Sequence, residues 1–374
     1  MKTNIKLNYS DIVIVPETIS EITSRSECNP YDNDGFLPII ASCMSSVVSI
    51  ENTYDFNKSG IRVVIPRNIN LSKRLVFLSE NYDNFVAFSL KEAREVFIDN
   101  IYNFEKRFGP YRICIDIANG HMKYLLDTVR EIKEKWGKDV IIMAGNIANP
   151  NTYMEYVRAG VDYARCSIGT GGACITSSNT SIHYPIFSLL KEIYEIKKAN
   201  NCKCKIIADG GIRGYGDIQK ALIYADYVMC GSIFNKAIES AGTTLYKAFY
   251  WDIFGKKILN PFKTFVYYKR EVPFHKYKET INLIKQGKVT VVKEFYGMAS
   301  KKAQILINEN NYTANALKTS EGLVKYQNVE YSIKDWAENE CDYLKSAMSY
   351  TNSKDLESYK DSNLVKTNSL KYNK

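Results

Sequence analysis

The chain has 374 residues, 45% hydrophobic and 24% charged, with a formal charge of +9, which supplies ample material for the core of one large domain or two smaller ones. No apolar run approaches the roughly 18 residues of a membrane span, and the start Met1-Lys-Thr-Asn-Ile-Lys6 leads into Asp11 without a signal-like apolar stretch. A soluble, cytoplasmic protein with no membrane partner is expected. Nine cysteines, none in a CxxC pair, and only three histidines disfavour a zinc site and point to reduced thiols.

In chain order, β-rich runs of strand length occur at Phe85–Ser89, Ile113–Ile117, Val140–Met143, Ala164–Cys166, Lys205–Ala208 and Tyr227–Cys230. Between them lie segments of helical period. The clearest runs from Met122 to Trp136, with Met122, Leu125, Leu126, Val129, Ile132 and Trp136 on one face. Strand alternating with helix predicts a parallel sheet in an α/β fold. The strand ends decide its form. Polar and glycine residues collect at Asp116-Ile-Ala-Asn-Gly120, Ala144-Gly-Asn146, Ser167 to Cys174, Asp209-Gly-Gly211 and Gly231-Ser232. Function gathered after many successive strands is the pattern of a (β/α)8 TIM barrel, whereas a doubly wound sheet concentrates it at one switch point. No GxGxxG comes after a first strand.

The loop Ser167-Ile-Gly-Thr-Gly-Gly-Ala-Cys-Ile-Thr-Ser177 places three glycines ahead of Cys174 and Thr176. Glycines allow close backbone approach to a ligand, so the loop reads as a binding loop carrying a thiol nucleophile. Taken alone it also fits a glycine-rich turn around a buried structural cysteine.

Order and spacing of further motifs carry a resemblance. The cysteine loop, Asp209-Gly-Gly-Ile-Arg-Gly-Tyr-Gly-Asp217, Val228-Met-Cys-Gly-Ser232, Phe295-Tyr-Gly-Met298 and Ser320-Glu-Gly322 resemble, in that order, segments of the IMP dehydrogenase and GMP reductase family of barrel enzymes. The similarity runs from about Leu7 to Tyr350. Ser24-Arg-Ser-Glu27 and Asp116-Ile-Ala-Asn-Gly120 resemble the reductases' segments, and the stretch from Cys43 to Val86 is too short for the CBS modules usual in dehydrogenases. The segment Glu309 to Asn315 holds Tyr312 without an adjacent arginine, so the water-activating pair of the dehydrogenases is missing.

The resemblance implies a GMP reductase in which Cys174 adds to purine C2, ammonia leaves and NADPH delivers hydride to give IMP. It implies that Thr176 and Glu321 move the proton. Asp209 would hold the ribose, and Gly210, Gly211, Gly231 and Ser232 the region of the phosphate. Tyr296, Gly297 and Met298 would line phosphate and base, and Lys318, Ser320 and Gly322 would close over the purine. Ser24, Arg25, Asp116, Ile117, Ala118, Ile168 and Gly169 would meet NADPH, with Ser346 to Ser349 reaching a neighbour's cofactor in a homotetramer. Carbonyls of Gly169, Gly171 and Cys174 resemble a potassium (K+) site, although the family's arginine is Ser177 here. Further departures are Thr170 for a proline, Gly172 for the loop serine that contacts phosphate, and Lys301 after Ala299-Ser300, a cation that could compensate for Gly172. An IMP dehydrogenase, or a nucleotide- or nucleic-acid-binding barrel that has lost catalysis, remains an alternative.

The barrel is expected to occupy residues 1–354, interrupted by an insertion at 243–292. That insertion has 10 Lys and Arg against 3 Asp and Glu, so it carries +7 of the chain's +9, interleaved with aromatics. Such composition fits a lid, a subunit contact or a nucleic-acid groove, the small subdomain being favoured. The polar stretch 355–374 reads as a mobile tail.

Overall fold

The computed structural model describes residues 5–105, 109–247, 250–251, 257–258, 267–269, 274–310, 319–320 and 322–367. After a short strand β1 (Ile12–Ile14) come β2 (Ile39–Ala41), β3 (Arg62–Ile65), β4 (Phe85–Phe88), β5 (Tyr111–Asp116), β6 (Val140–Ile147), β7 (Tyr163–Cys166), β8 (Lys205–Asp209) and β9 (Tyr227–Cys230). Strands β2 to β9 pair in parallel, and β9 pairs back onto β2, closing an eight-stranded barrel. The helices between them are α1 (Thr53–Lys58), α2 (Leu71–Glu80), α3 (Leu90–Phe97), α4 (Lys123–Trp136), α5 (Thr152–Ala159), α6 (Thr176–Thr180), α7 (Ile186–Ala199) and α8 (Tyr215–Leu222). The expected (β/α)8 fold is what forms.

Strand alternation explains why the runs read as almost wholly apolar. Ile40, Val64, Phe85, Ala87, Cys114, Met143, Ile207 and Met229 pack inside the barrel, while Ile39, Ala41, Val63, Ile65, Val86, Phe88, Ile113 and Ile142 pack outward with the helices. Both faces of each strand are buried, so no polar alternation survives. Two barrel strands, β2 and β3, were not among the expected ones. The first has three residues, and the second opens on Arg62, a charge that is 3% exposed. It is tolerated because Asp32 and Asp34 pair with the guanidinium and Phe36 lies under it, 4.3 Å from ring centroid to Cζ.

Beyond the barrel, α9 (Ser232–Asn235) leads to β10 (Thr244–Lys247), β11 (Tyr250–Trp251), β12 (Lys257–Ile258), β13 (Tyr267–Lys269), α10 (Tyr277–Lys285), β14 (Thr290–Tyr296), α11 (Lys301–Asn310) and β15 (Val324–Asn328). A four-stranded sheet in the order β13-β10-β14-β15 results, so segment 243–292 enters as one strand and leaves as its antiparallel neighbour. Ile281 of α10 joins Ile238, Val291 and Val329 in a small apolar cluster of its own. Most of the aromatic stretch from 248 to 273 lies outside the described residues.

The chain closes with α12 (Ile333–Tyr350), α13 (Leu356–Tyr359) and β16 (Leu364–Lys366). Reading 355–374 as a mobile tail is corrected over 355–367. Here β16 pairs antiparallel with β1, Tyr359 is fully buried and Lys360 bonds Asp226 at 2.8 Å. One buried ring and one buried ion pair outweigh the polar composition of the rest. No described helix is long and apolar enough to cross a membrane.

Helix α12 buries a titratable group with little support. Glu340 is fully buried, its partner being the Gln219 amide at 3.1 Å, and its Oε2 meets no donor. Burial pushes its carboxyl well above the usual range, with Gln219 opposing only in part. A raised acid keeps its proton in the fold, so stability is highest below the unfolded value near 4.5 and falls as pH climbs toward the folded value. We expect Glu340→Gln to raise the melting temperature by roughly 2–4 °C more at pH 8 than at pH 5. Parallel thermal scans at the two pH values check this.

Candidate active site

The polar strand ends meet at the carboxyl-terminal mouth of the barrel around a cavity of about 270 Å³. Segments after β2, β5, β7, β8 and β9 all line it, together with Phe295, Gly297 and Met298 at the end of β14.

The cysteine loop leaves β7 and is folded back on itself. The N–H of Cys174 donates to the Gly171 carbonyl at 3.0 Å, the Ser177 hydroxyl to the Gly169 carbonyl at 3.0 Å, and the Gly211 N–H to the Thr170 carbonyl at 3.2 Å. The loop therefore rests on the Asp209-Gly210-Gly211 turn. Gly210 has φ +121°, and a Cβ there would collide with the Thr170 hydroxyl. Cys174 ends the loop half-buried at the cavity wall, whereas Cys166 and Cys230 on the flanking strands are fully enclosed. Its thiol lies 3.2 Å from the Thr176 hydroxyl. Gly322 faces Cys174 in an antiparallel bridge, and the Leu323 N–H donates to the Ala173 carbonyl at 2.9 Å. The chain position just before Gly322 is Glu321. Glu321 and Lys318 lie outside the described residues, while the Ser320 hydroxyl bonds the Gly322 carbonyl at 2.8 Å.

The floor of the cavity is an ionic lattice that sequence reasoning missed. Arg165, 5% exposed on β7, donates from Nη1 to Asp116 Oδ1 at 2.8 Å and from Nη2 and Nε to Asp209 Oδ2 at 2.9 and 3.0 Å. Asn146 adds a bond to the same Oδ2 at 2.6 Å, and Arg67 meets Asp116 Oδ2 at 3.2 Å. Three donors converge on Asp209 Oδ2, and Oδ1 meets no protein donor among the described residues, so the carboxylate can accept from a ligand while held rigid. Burial alone would raise Asp116, but the Arg165 and Arg67 guanidiniums hold it at about 2. The available signal was Arg165 itself, a charge in the third place of an otherwise buried strand.

Other expected residues divide cleanly. Asp116, Ile117, Ala118, Ile168, Gly169, Gly210, Gly211, Gly231, Ser232, Gly297 and Met298 border the cavity with Cys174. Tyr296 does not. It is 5% exposed, and its hydroxyl and carbonyl take hydrogen bonds from Ser45 and Ser46, both at 3.3 Å. Ser24 and Arg25 lie away from the cavity against α12, where Arg25 approaches Asp342 at 3.7 Å, and Ser346 and Ser349 sit on that same helix. Of the three carbonyls read as a potassium site, those of Gly169 and Gly171 are engaged inside the loop by Ser177 and Cys174. No cluster of three or more His, Cys, Asp or Glu suited to a metal occurs among the described residues.

Comparison with known proteins agrees with the architecture. Residues 109–250 match the profile of the IMP dehydrogenase / GMP reductase domain. An enzyme named GMP reductase from Lactobacillus delbrueckii subsp. bulgaricus is 30% identical over 282 residues, covering 68% of this chain and 83% of the relative. Another of that name from Streptococcus pyogenes is 30% identical over 278 residues with the same coverage, and one from Pediococcus pentosaceus is 30% identical over 246. A closed barrel whose mouth carries the cysteine loop, and this breadth of similarity, establish that the chain belongs to the IMP dehydrogenase and GMP reductase family.

Proposed function

We propose that this protein is a GMP reductase, converting GMP to IMP and ammonia. The observation that carries the reading is the accessible Cys174 thiol at the cavity wall, 3.2 Å from the Thr176 hydroxyl and opposite Gly322. As a thiolate, Cys174 adds to C2 of the purine, and the 2-amino group departs as ammonia after accepting a proton. Thr176, with Glu321 as its partner, relays that proton, since a carboxylic acid and a hydroxyl can pass one without separating charge far. The remaining sulfur-bound purine carbon is electrophilic, and breaking the C–S bond after reduction returns the thiolate.

Asp209 holds the ribose through its unencumbered Oδ1, while Gly211, Gly231 and Ser232 border the phosphate end. Asp116, Ile117, Ala118, Ile168 and Gly169 form the wall suited to a flat nicotinamide ring, because two branched apolar side chains stand there beside the polar floor. NADPH bound there supplies the hydride that C2 receives. A homotetramer accounts for Ser346 and Ser349 lying outside this cavity, since they would serve a neighbouring subunit's cofactor. In this reading the 243–292 segment is a small subdomain within a barrel of residues 1–354, and its charge draws in anionic nucleotides.

Absorbance at the reduced-nicotinamide band tests the proposal. GMP should drive oxidation of NADPH with release of ammonia, and IMP with NAD should give no reduction. NAD reduction by IMP, together with inertness toward GMP and NADPH, would overturn the reading in favour of a dehydrogenase.

A further inference from the structure

The cysteine loop is tied to the 322–325 segment by more than one bond. Lys325, which faces Phe295 across the sheet, donates from Nζ to the Gly172 carbonyl at 2.7 Å, and the next carbonyl, of Ala173, accepts from the Leu323 N–H at 2.9 Å. Two successive loop carbonyls thus turn toward the 322–325 segment. In a trans peptide the N–H opposes the carbonyl, so the Ala173 N–H is directed away from Lys325. Gly172 and Ala173 both line the cavity, and neither N–H meets a protein acceptor among the described residues. Lys325 forms no ion pair among those residues either, so its charge is not neutralised locally.

Lys325 thus holds this peptide from its carbonyl side, and an unpaired N–H fixed at the cavity wall with a positive charge behind the peptide suits an anion bearing several oxygens. The side chain missing at Gly172 defines what it does. A Cβ at Gly172 would lie 3.7 Å from the Ser232 side chain and 3.9 Å from the Phe295 ring, ordinary contact distances, so the site would admit a serine hydroxyl but has none. Lys301, the cation adjacent to this region in the sequence, is exposed in the first turn of α11, and Lys302 is taken up by Glu294. The lysine that reaches the loop comes from another strand.

We propose that Lys325 is a specificity-determining residue for the phosphate end of the ligand, supplying by charge and by fixing the Gly172 peptide what a hydroxyl at position 172 would otherwise give. This rests on reading the cavity as a purine nucleotide site. Calorimetric binding of GMP and of guanosine, without cofactor or turnover, tests it. In Lys325→Met, affinity for GMP should fall about 10-fold while that for guanosine stays the same. Lys325→Arg should keep most of the GMP affinity, and adding Gly172→Ser to Lys325→Met should restore much of what was lost. Because Lys325 is exposed, the fold should persist, and an unchanged melting curve verifies it.

An equal loss for GMP and guanosine would show that Lys325 merely braces the loop, and no loss for either would remove it from binding; both overturn the proposal. The nucleotide reading fails separately. A wild-type protein that binds GMP no better than guanosine refutes that reading and this inference with it, whereas a wild-type preference for GMP left intact in Lys325→Met refutes this inference alone.

Discussion

Cys174→Ala is expected to lower GMP-dependent NADPH oxidation by at least about 10³-fold, with GMP affinity changed only a few-fold. The separation comes from what the thiol does. In the proposed reaction it contributes little to holding the nucleotide, whose ribose would face Asp209, but without it C2 would have no covalent route to lose nitrogen. A second thiol, Cys43, also borders the cavity and provides the contrast. It is 2% exposed, and the neighbouring Cys114 thiol together with burial pushes its titration well above the ordinary thiol range, so it stays protonated and poorly nucleophilic. Cys43→Ala should therefore cost far less than Cys174→Ala. Thr176→Val should cost roughly 10²-fold in kcat with KM little moved, as befits a proton relay. Retention of a tenth of wild-type turnover by Cys174→Ala would rule out a covalent intermediate on this residue.

Legibility of this chain in its sequence tracks burial. Strands from Phe85 onward stand out because both faces are covered and the runs are mostly apolar, and their ends stand out because glycine and carboxylate residues crowd there. β2 and β3 were hidden by brevity and by Arg62, whose neutralising partners Asp32 and Asp34 lie about thirty residues away in the chain. The same holds in the site. Cys174, Thr176, Asp209 and Gly231 lie in motifs that local order reveals, and the barrel brings them together. The role of Arg165 was hidden because it depends on two carboxylates, Asp116 and Asp209, that only closure of the barrel sets on either side of it. Lys325 was missed for a related reason, since its partner, the carbonyl of Gly172, belongs to a strand end far back in the sequence.

Arg165→Met is expected to destabilise the fold by about 3–5 kcal/mol at pH 7, because it removes the only described group that bridges Asp116 and Asp209 and leaves two enclosed carboxylates facing each other. Two effects compete. Methionine needs less desolvation than a guanidinium and fills similar space, which favours the variant, yet an unpaired buried carboxylate costs more than that gain. The pH dependence tells them apart. In the wild type Asp116 is depressed to about 2, so its stabilisation is complete above the unfolded value near 3.8 and is lost as pH falls toward 2. In the variant Asp116 keeps only Arg67 as a cation, so it takes up its proton at a higher pH than in the wild type and the repulsion disappears as pH falls. The gap between wild type and variant should thus be widest near pH 7 and narrow toward pH 4, as read from urea unfolding at each pH. A gap that is the same at both values would mean that lost packing, not charge, is responsible. Arg165→Lys should fall between them in stability, since one ammonium cannot make the three directed bonds that Arg165 makes to Asp116 and Asp209. Its GMP affinity should drop all the same, because Asp209 is then held by Asn146 and a single ammonium, and the Oδ1 proposed to meet the ribose is less firmly placed.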